Sequence, residues 1–69
     1  MNAKKLGKRI KLARIELDIT QEDLAEAIKA KQKSISRYET GASLPTLETL
    51  EKMTQVLKKP FGYFLDDKS

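Results

Sequence analysis

The 69-residue chain contains no cysteine, no histidine and no tryptophan. The absence of cysteine excludes disulfides and thiolate metal sites, and it fits a reducing compartment. Histidine and cysteine are also the side chains that most often act as catalytic bases and nucleophiles. An enzyme is therefore the least favoured class of protein, and we expect no cofactor and no metal site.

Long apolar runs are missing as well. The longest is the five-residue stretch FGYFL at residues 61–65, whereas a membrane-spanning helix needs about 20 apolar residues. The basic N-terminus has no continuous apolar stretch, so it does not resemble a signal peptide. We expect no membrane association and a cytoplasmic protein.

Positive charge is abundant and unevenly distributed. The chain carries 14 Lys+Arg against 10 Asp+Glu, and residues 1–37 hold ten basic and five acidic groups, net +5. Two stretches contain basic but no acidic residues: Lys4, Lys5, Lys8, Arg9, Lys11 and Arg14, then Lys29, Lys31, Lys33 and Arg37. Clustered positive charge indicates a polyanionic partner. A lysine-rich solvated surface is the alternative.

Apolar residues recur with a helical period along the whole chain, which predicts an all-α, compact domain of four or five helices. We expect one domain over residues 1–69, with helices at about 4–17, 21–28, 32–40, 47–57 and 61–65. Thr20 is a suitable N-cap for the second helix, and Gly41 is suited to the end of the third. The apolar stripes predict one core: Leu6, Ile10, Ala13, Leu17, Leu24, Ala25, Ile28, Ile35, Leu47, Leu50, Met53, Leu57 and Phe64.

The third predicted helix is short and unusually polar. Measured from Gln32 on a helical wheel, Ser36, Lys33 and Arg37 fall at about 40°, 100° and 140°. Tyr38 and Ile35 fall at about 240° and 300° on the other side. The Ile and Tyr side can pack on the core, so the Gln, Ser, Lys and Arg side must face outward.

Those outward side chains are of the types that read base edges. Glutamine can pair with adenine, arginine and lysine can donate to guanine, and serine is adaptable. A short helix carrying them, held by a preceding helix across a tight turn, fits a DNA major groove. A solvated basic face is the alternative interpretation of this helix taken alone.

The segment from Gln21 to Gly41 resembles the helix-turn-helix of the phage-repressor (Cro/cI, or Xre) family. The matching positions are Gln21, Ala25, Ile35, Tyr38, Glu39 and Gly41. The later stretches PTLETLEKMTQVL and FGYFLDD resemble the fourth and fifth helices of that family. The resemblance covers nearly the whole chain, and it implies a lambda-repressor-like fold and sequence-specific binding of double-stranded DNA.

The resemblance also implies roles for individual residues. Gln32, Lys33, Ser36 and Arg37 match base-contacting positions, and Gln21 can bind a phosphate or brace Gln32. Arg14, Thr20 and Thr40 match phosphate-contact positions, to which loop amides near Ser43 can add. Arg14 and Glu39 also match a structural ion pair. With the neighbouring Ser34, the predicted DNA-binding residues are Arg14, Thr20, Gln21, Gln32, Lys33, Ser34, Ser36, Arg37, Thr40 and Ser43.

Three positions depart from the family pattern. Lys29 and Lys58 stand where the family usually has glycine, and the loop before Pro45 lacks the basic residues of some relatives. A left-handed backbone at Lys29 would cost roughly 1–2 kcal/mol.

Several functions compete at this point. The leading prediction is a transcriptional regulator, a repressor that occupies a two-fold operator as a dimer. Members of the family dimerise through the C-terminal end, here Phe61, Tyr63, Phe64 and Leu65. A DNA-binding antitoxin or bridging module, whose main partner is another protein, would instead require an exposed apolar patch. A single-strand or RNA binder would require exposed aromatic residues over the basic face.

Overall fold

The computed structural model describes residues 2–65, and every regular element in that range is an α-helix. Five helices follow one another along the chain: α1 Ala3–Glu16, α2 Gln21–Ala27, α3 Gln32–Thr40, α4 Leu47–Leu57 and α5 Phe61–Leu65. The predicted all-α architecture is therefore confirmed. None of the described helices combines the length and apolar character needed to cross a membrane.

The bounds of α1 and α2 differ from the prediction by one residue at three ends. Helix α1 begins earlier because the Asn2 side chain caps it, accepting bonds from the amides of Lys4 and Lys5 at 2.9 and 3.1 Å. It ends at Glu16 and α2 at Ala27, with Leu17 and Ile28 as their C-caps. An asparagine cap of this kind satisfies amides that have no partner within the helix.

Three helix ends place a non-glycine residue in the left-handed region. Asp18, Lys29 and Lys58, after α1, α2 and α4, each have a φ of 59°. At the α2–α3 turn, the amide of Ala30 donates to the Ala25 carbonyl at 2.8 Å and closes the helix end. The tight turn that Lys29 was expected to form is therefore present, with the strain of an L-residue at that φ.

One hydrophobic core lies between the five helices. It contains eleven buried side chains: Leu6, Ile10, Ala13, Leu24, Ala25, Ile28, Ile35, Leu50, Met53, Leu57 and Phe64. Two residues predicted for the core are outside it, since Leu17 is 36% and Leu47 70% exposed. Leu17 leaves the apolar stripe because the chain turns at the end of α1. Leu47 is the first residue of α4 and lies about 80° away from the direction shared by Leu50, Met53 and Leu57.

Helices α1 and α3 approach each other closely at Gly7. A Cβ atom built on Gly7 would collide with the Tyr38 carbonyl oxygen and lie 2.6 Å from the Glu39 carbonyl oxygen. Only a residue without a side chain allows the α3 backbone to lie this close to α1. Gly7 therefore sets the position of α3, although the sequence analysis gave it no role.

Candidate nucleic-acid interface

Helix α3 has a buried side and an exposed side. Ile35 is fully buried, and Tyr38 packs against the core from the same side. Gln32, Lys33 and Arg37 are exposed, while Ser34 and Ser36 are half-buried. The exposed side presents amide and cationic side chains next to one another, with Lys33 and Arg37 supplying positive charge.

A bonded network around Glu39 fixes the other side of α3. The Glu39 carboxylate is 3% exposed and accepts two bonds from Arg14, from Nε at 2.6 Å and from Nη2 at 3.1 Å. Arg14 Nη1 also donates to the Ile19 carbonyl at 2.9 Å. The expected structural ion pair is thus present, and it joins α1 to α3 in a two-bond geometry that is among the stronger hydrogen-bonded arrangements.

Gln21 belongs to the same network. Its Nε2 donates to Glu39 Oε1 at 3.0 Å, so Gln21 braces Glu39 and not Gln32 as the sequence analysis considered. Because an amide nitrogen carries two hydrogens, one N–H of Gln21 is left for another acceptor. The network therefore holds the first residue of α2 against the last turn of α3.

Thr20 caps α2 as the sequence predicts. Its hydroxyl accepts from the Asp23 amide at 3.0 Å, and the Asp23 carboxylate accepts from the Thr20 amide at 3.0 Å. This reciprocal pair is a capping box. The backbone and side-chain hydrogen bonds from Thr20 lower the pKa of Asp23 below its ordinary value. The Thr20 O–H can donate to a ligand if it gives up its bond to the Asp23 carboxylate.

The polar groups near the end of α3 form hydrogen bonds within the chain. The Thr40 hydroxyl donates to the Arg37 carbonyl at 3.2 Å, and the Ser43 amide donates to the same carbonyl at 3.3 Å. Donation from either group to a phosphate would require the existing bond to break. The amide contact considered near Ser43 therefore competes with the turn that follows Gly41.

The C-terminal segment is only partly available as a surface. Phe64 is 2% exposed and belongs to the core, so it is not an interface residue as predicted. Tyr63, Leu65 and Phe61 are half-buried. Arg9 Nη1 donates to the Tyr63 carbonyl at 2.8 Å, and this bond ties α5 to α1.

Candidate metal ligands do not cluster in the described part of the chain: no group of three or more acidic side chains there could hold a metal ion. The acidic residues at the start of α2 have a different explanation. Asp23 completes the cap, and Glu22 lies in the first turn, where negative charge interacts favourably with the helix dipole.

The geometry is that of a helix-turn-helix protein: two short helices joined by a tight turn, with the second helix exposing polar side chains. A family model described as helix-turn-helix matches residues 10–64. The chain belongs to this family, in its phage-repressor (Cro/cI, Xre) branch.

Curated relatives agree with this assignment. An uncharacterised HTH-type transcriptional regulator of Sinorhizobium medicae is 32% identical over 62 residues, covering 90% of this chain and 45% of the relative. The cryptic phage CTXphi transcriptional repressor RstR of Vibrio cholerae is 32% identical over 59 residues, covering 86% and 53%. Multiprotein-bridging factor 1 of Debaryomyces hansenii is 40% identical over 52 residues, covering 75% and 35%. The chain thus spans about half or less of the length of these relatives.

Proposed function

We propose that this chain is the DNA-reading domain of a transcriptional repressor that binds a two-fold operator as a dimer, with α3 in the major groove. The observation that carries the proposal is the exposed side of α3. Gln32, Lys33 and Arg37 are exposed there, while Ile35 and Glu39 hold the opposite side against the rest of the domain. Arginine and lysine can donate to guanine O6 and N7, and glutamine can pair with adenine.

Rigidity of α3 supports direct reading of bases. To discriminate between base pairs, a protein must hold the contacting side chains on a backbone that does not shift when the wrong base pair is bound. The Arg14–Glu39 pair, the Gln21 bond and the close approach at Gly7 attach α3 to both α1 and α2. We therefore assign base contacts to Gln32, Lys33, Ser36 and Arg37, with Ser34 at the edge of the same surface.

Phosphate contacts complete the proposed interface. Thr20 can donate its hydroxyl hydrogen, and Gln21 its second amide hydrogen, to a phosphate beside the start of α2. Arg14 uses three of its five N–H groups within the fold, so two are left for a phosphate contact. The Thr40 hydroxyl and the Ser43 amide are weaker candidates because both already donate to the Arg37 carbonyl.

Repression would be steric: the bound dimer would cover a promoter. The name of RstR as a phage repressor supports this choice over activation. A two-fold operator requires two recognition helices about one DNA turn apart, which a dimer provides. We place the dimer contact on Phe61, Tyr63 and Leu65 and leave Phe64 out, because it is part of the core.

Selection from a random DNA pool tests the function, followed by a salt titration on the enriched duplex. We expect a palindromic motif, with affinity that falls steeply as salt rises, since bound phosphates release counterions. The absence of any enriched motif would refute sequence-specific binding.

A charge substitution tests the dimer surface. Leu65→Asp should shift the chain toward monomer in sedimentation equilibrium and reduce cooperative binding to the palindrome. Leu47→Asp is the matched control, because Leu47 is an exposed leucine on a different helix. Unchanged association of a folded Leu65→Asp variant would place the interface elsewhere.

A second candidate function is that of a bridging module whose main partner is a protein. It is favoured by two apolar side chains on the outer side of α1, where Leu12 and Ile15 are 50% and 53% exposed. The similarity to a multiprotein-bridging factor points in the same direction. Under this alternative, DNA binding would be weak and insensitive to salt, and Leu12→Ser would weaken binding of the protein partner without changing DNA affinity.

A further inference from the structure

Asp18 occupies a left-handed backbone position that does not require its negative charge. It follows the C-cap of α1 with a φ of 59°, and the next amide, of Ile19, donates to the Arg14 carbonyl at 3.3 Å to close the turn. Glycine is the usual residue at this position of a helix end, because a Cβ atom strains the left-handed backbone. Asparagine and aspartate also tolerate this conformation. The backbone therefore accepts neutral glycine or asparagine as well as aspartate, and it does not explain the charge.

The charge of Asp18 lies between two helix ends of opposite partial charge. The 14-residue helix α1 ends two residues earlier with partial negative charge, and α2 begins three residues later with partial positive charge. Within residues 2–65, the Asp18 carboxylate makes no hydrogen bond or ion pair. Neither the backbone nor the local charge thus requires an aspartate here for fold stability.

The position of Asp18 relative to the candidate interface supplies another explanation. Asp18 lines a concave surface, which we call the α1–α2 concavity, together with the apolar Ile15 and Ile19 and with Arg14, Thr20, Gln21 and Gln32. The last four residues are among the proposed DNA contacts. In the proposed complex, a duplex read by α3 runs its phosphates past the α1–α2 concavity. Charges interact over a Debye length of about 8–10 Å at physiological salt, which is enough to reach such phosphates.

We propose that Asp18 limits the affinity of the chain for DNA of every sequence, by repelling the phosphate backbone that passes the α1–α2 concavity. This inference rests on the proposed function and adds a residue that opposes binding. The repulsion acts on the electrostatic, sequence-independent part of DNA affinity. It keeps a basic chain from remaining bound to DNA that lacks its operator.

Two substitutions at Asp18 separate charge from backbone effects. Asp18→Asn removes the charge and suits the left-handed backbone better, whereas Asp18→Glu keeps the charge and suits it less. Glu51→Gln removes the same charge from the exposed surface of α4 and is the control for net charge. Fluorescence anisotropy would measure affinity for the selected operator and for a random duplex, at 50 and 300 mM salt, with folding checked by circular dichroism.

We expect Asp18→Asn to tighten binding to both duplexes by about three- to tenfold at low salt. The gain should shrink at high salt, because ions screen the repulsion that has been removed. Asp18→Glu should bind within about twofold of the unsubstituted chain, since a like charge remains. Glu51→Gln should change binding by less than about twofold, because more distant charges are screened.

Other outcomes overturn the inference. If the unsubstituted chain binds DNA and Asp18→Asn gains no more than Glu51→Gln, Asp18 does not repel the backbone. A gain confined to the operator would indicate a base contact instead, and affinities that follow the stability of the variants would indicate a purely structural role. If the unsubstituted chain binds neither duplex, the proposed function fails, and this inference fails with it.

Discussion

The two sides of α3 are built in opposite ways. On the inner side, Ile35 is fully buried and the Glu39 carboxylate accepts three bonds from Arg14 and Gln21. On the outer side, Gln32, Lys33 and Arg37 are exposed, and nothing about their side chains indicates a role in stability. The comparison separates stability from recognition within nine residues: the inner side holds the helix, and the outer side is available to a ligand.

The largest effect is expected from Glu39→Ala. It leaves Arg14 without its partner in a site where the Arg14 side chain is only 12% exposed. Loss of one partner of a buried ion pair costs about 3–5 kcal/mol of unfolding free energy. Chemical denaturation measures this loss. The double variant Arg14→Met with Glu39→Leu should recover much of it, because no buried charge is left unpaired. An equal loss in the double variant would show that the cost does not come from the unpaired Arg14 charge.

The next largest effect concerns the close approach of α1 to α3. Gly7→Ala should lower the unfolding free energy by about 1–3 kcal/mol or more, because the added methyl group meets backbone carbonyls that cannot move aside easily. Gly62→Ala is the control, since no atom lies within 4 Å of a Cβ at that position. Thermal unfolding of both variants measures the difference. A Gly7→Ala variant as stable as Gly62→Ala would mean that α3 does not depend on this contact.

These inner-side contacts show where sequence reasoning succeeded and where it stopped. Local signals predicted the Thr20 cap and the helix end at Gly41, because each depends on residues close in sequence, whereas the turn position at Lys29 came from the family resemblance. The Arg14–Glu39 pair came from the resemblance, not from spacing. The bond from Gln21 to Glu39 and the clearance at Gly7 depend on the distance between helices, which one sequence does not specify. A glycine inside a helical pattern was the available signal for Gly7.

The errors in the predicted core also concern geometry that one sequence does not specify. Leu17 fits the apolar period but lies just beyond the end of α1, where the chain turns. Leu47 is the first residue of α4 and lies away from the stripe formed by the other core residues of that helix. Phe64 was predicted both for the core and for the dimer surface, and its burial confirms the core prediction and removes it from the dimer surface. The exposed outer side of α3 was predictable, because Ile35 and Tyr38 fix which side faces inward.

A smaller effect is expected at the turn that connects α2 to α3. Lys29→Gly should raise the unfolding free energy by about 1 kcal/mol, because glycine adopts the observed φ of 59° without strain. Lys58→Gly, with the same φ after α4, should give a similar gain and serves as the comparison. Denaturant midpoints measure both. Destabilisation by either substitution would argue against a left-handed backbone at that residue.

The smallest effect is a pH dependence at the start of α2. Bonds from Thr20 lower the pKa of Asp23 in the folded chain. A carboxyl group whose pKa is lower when folded stabilises the fold above its unfolded pKa of about 4, and this contribution is lost as the pH falls through the folded pKa. Asp23→Asn should therefore weaken the acid dependence of stability below pH 4. An identical pH profile for Asp23→Asn would show that the capping box makes no measurable contribution.

The most direct test of the separation between the two sides of α3 is the Arg37→Ala variant, measured for both unfolding and DNA affinity. Arg37 is exposed, so the unfolding free energy should change by less than about 0.5 kcal/mol. Affinity for the selected operator should fall by about 1–3 kcal/mol, with relaxed preference at a single base position. An equal loss of affinity on every DNA sequence, or a loss of stability in place of affinity, would contradict the account.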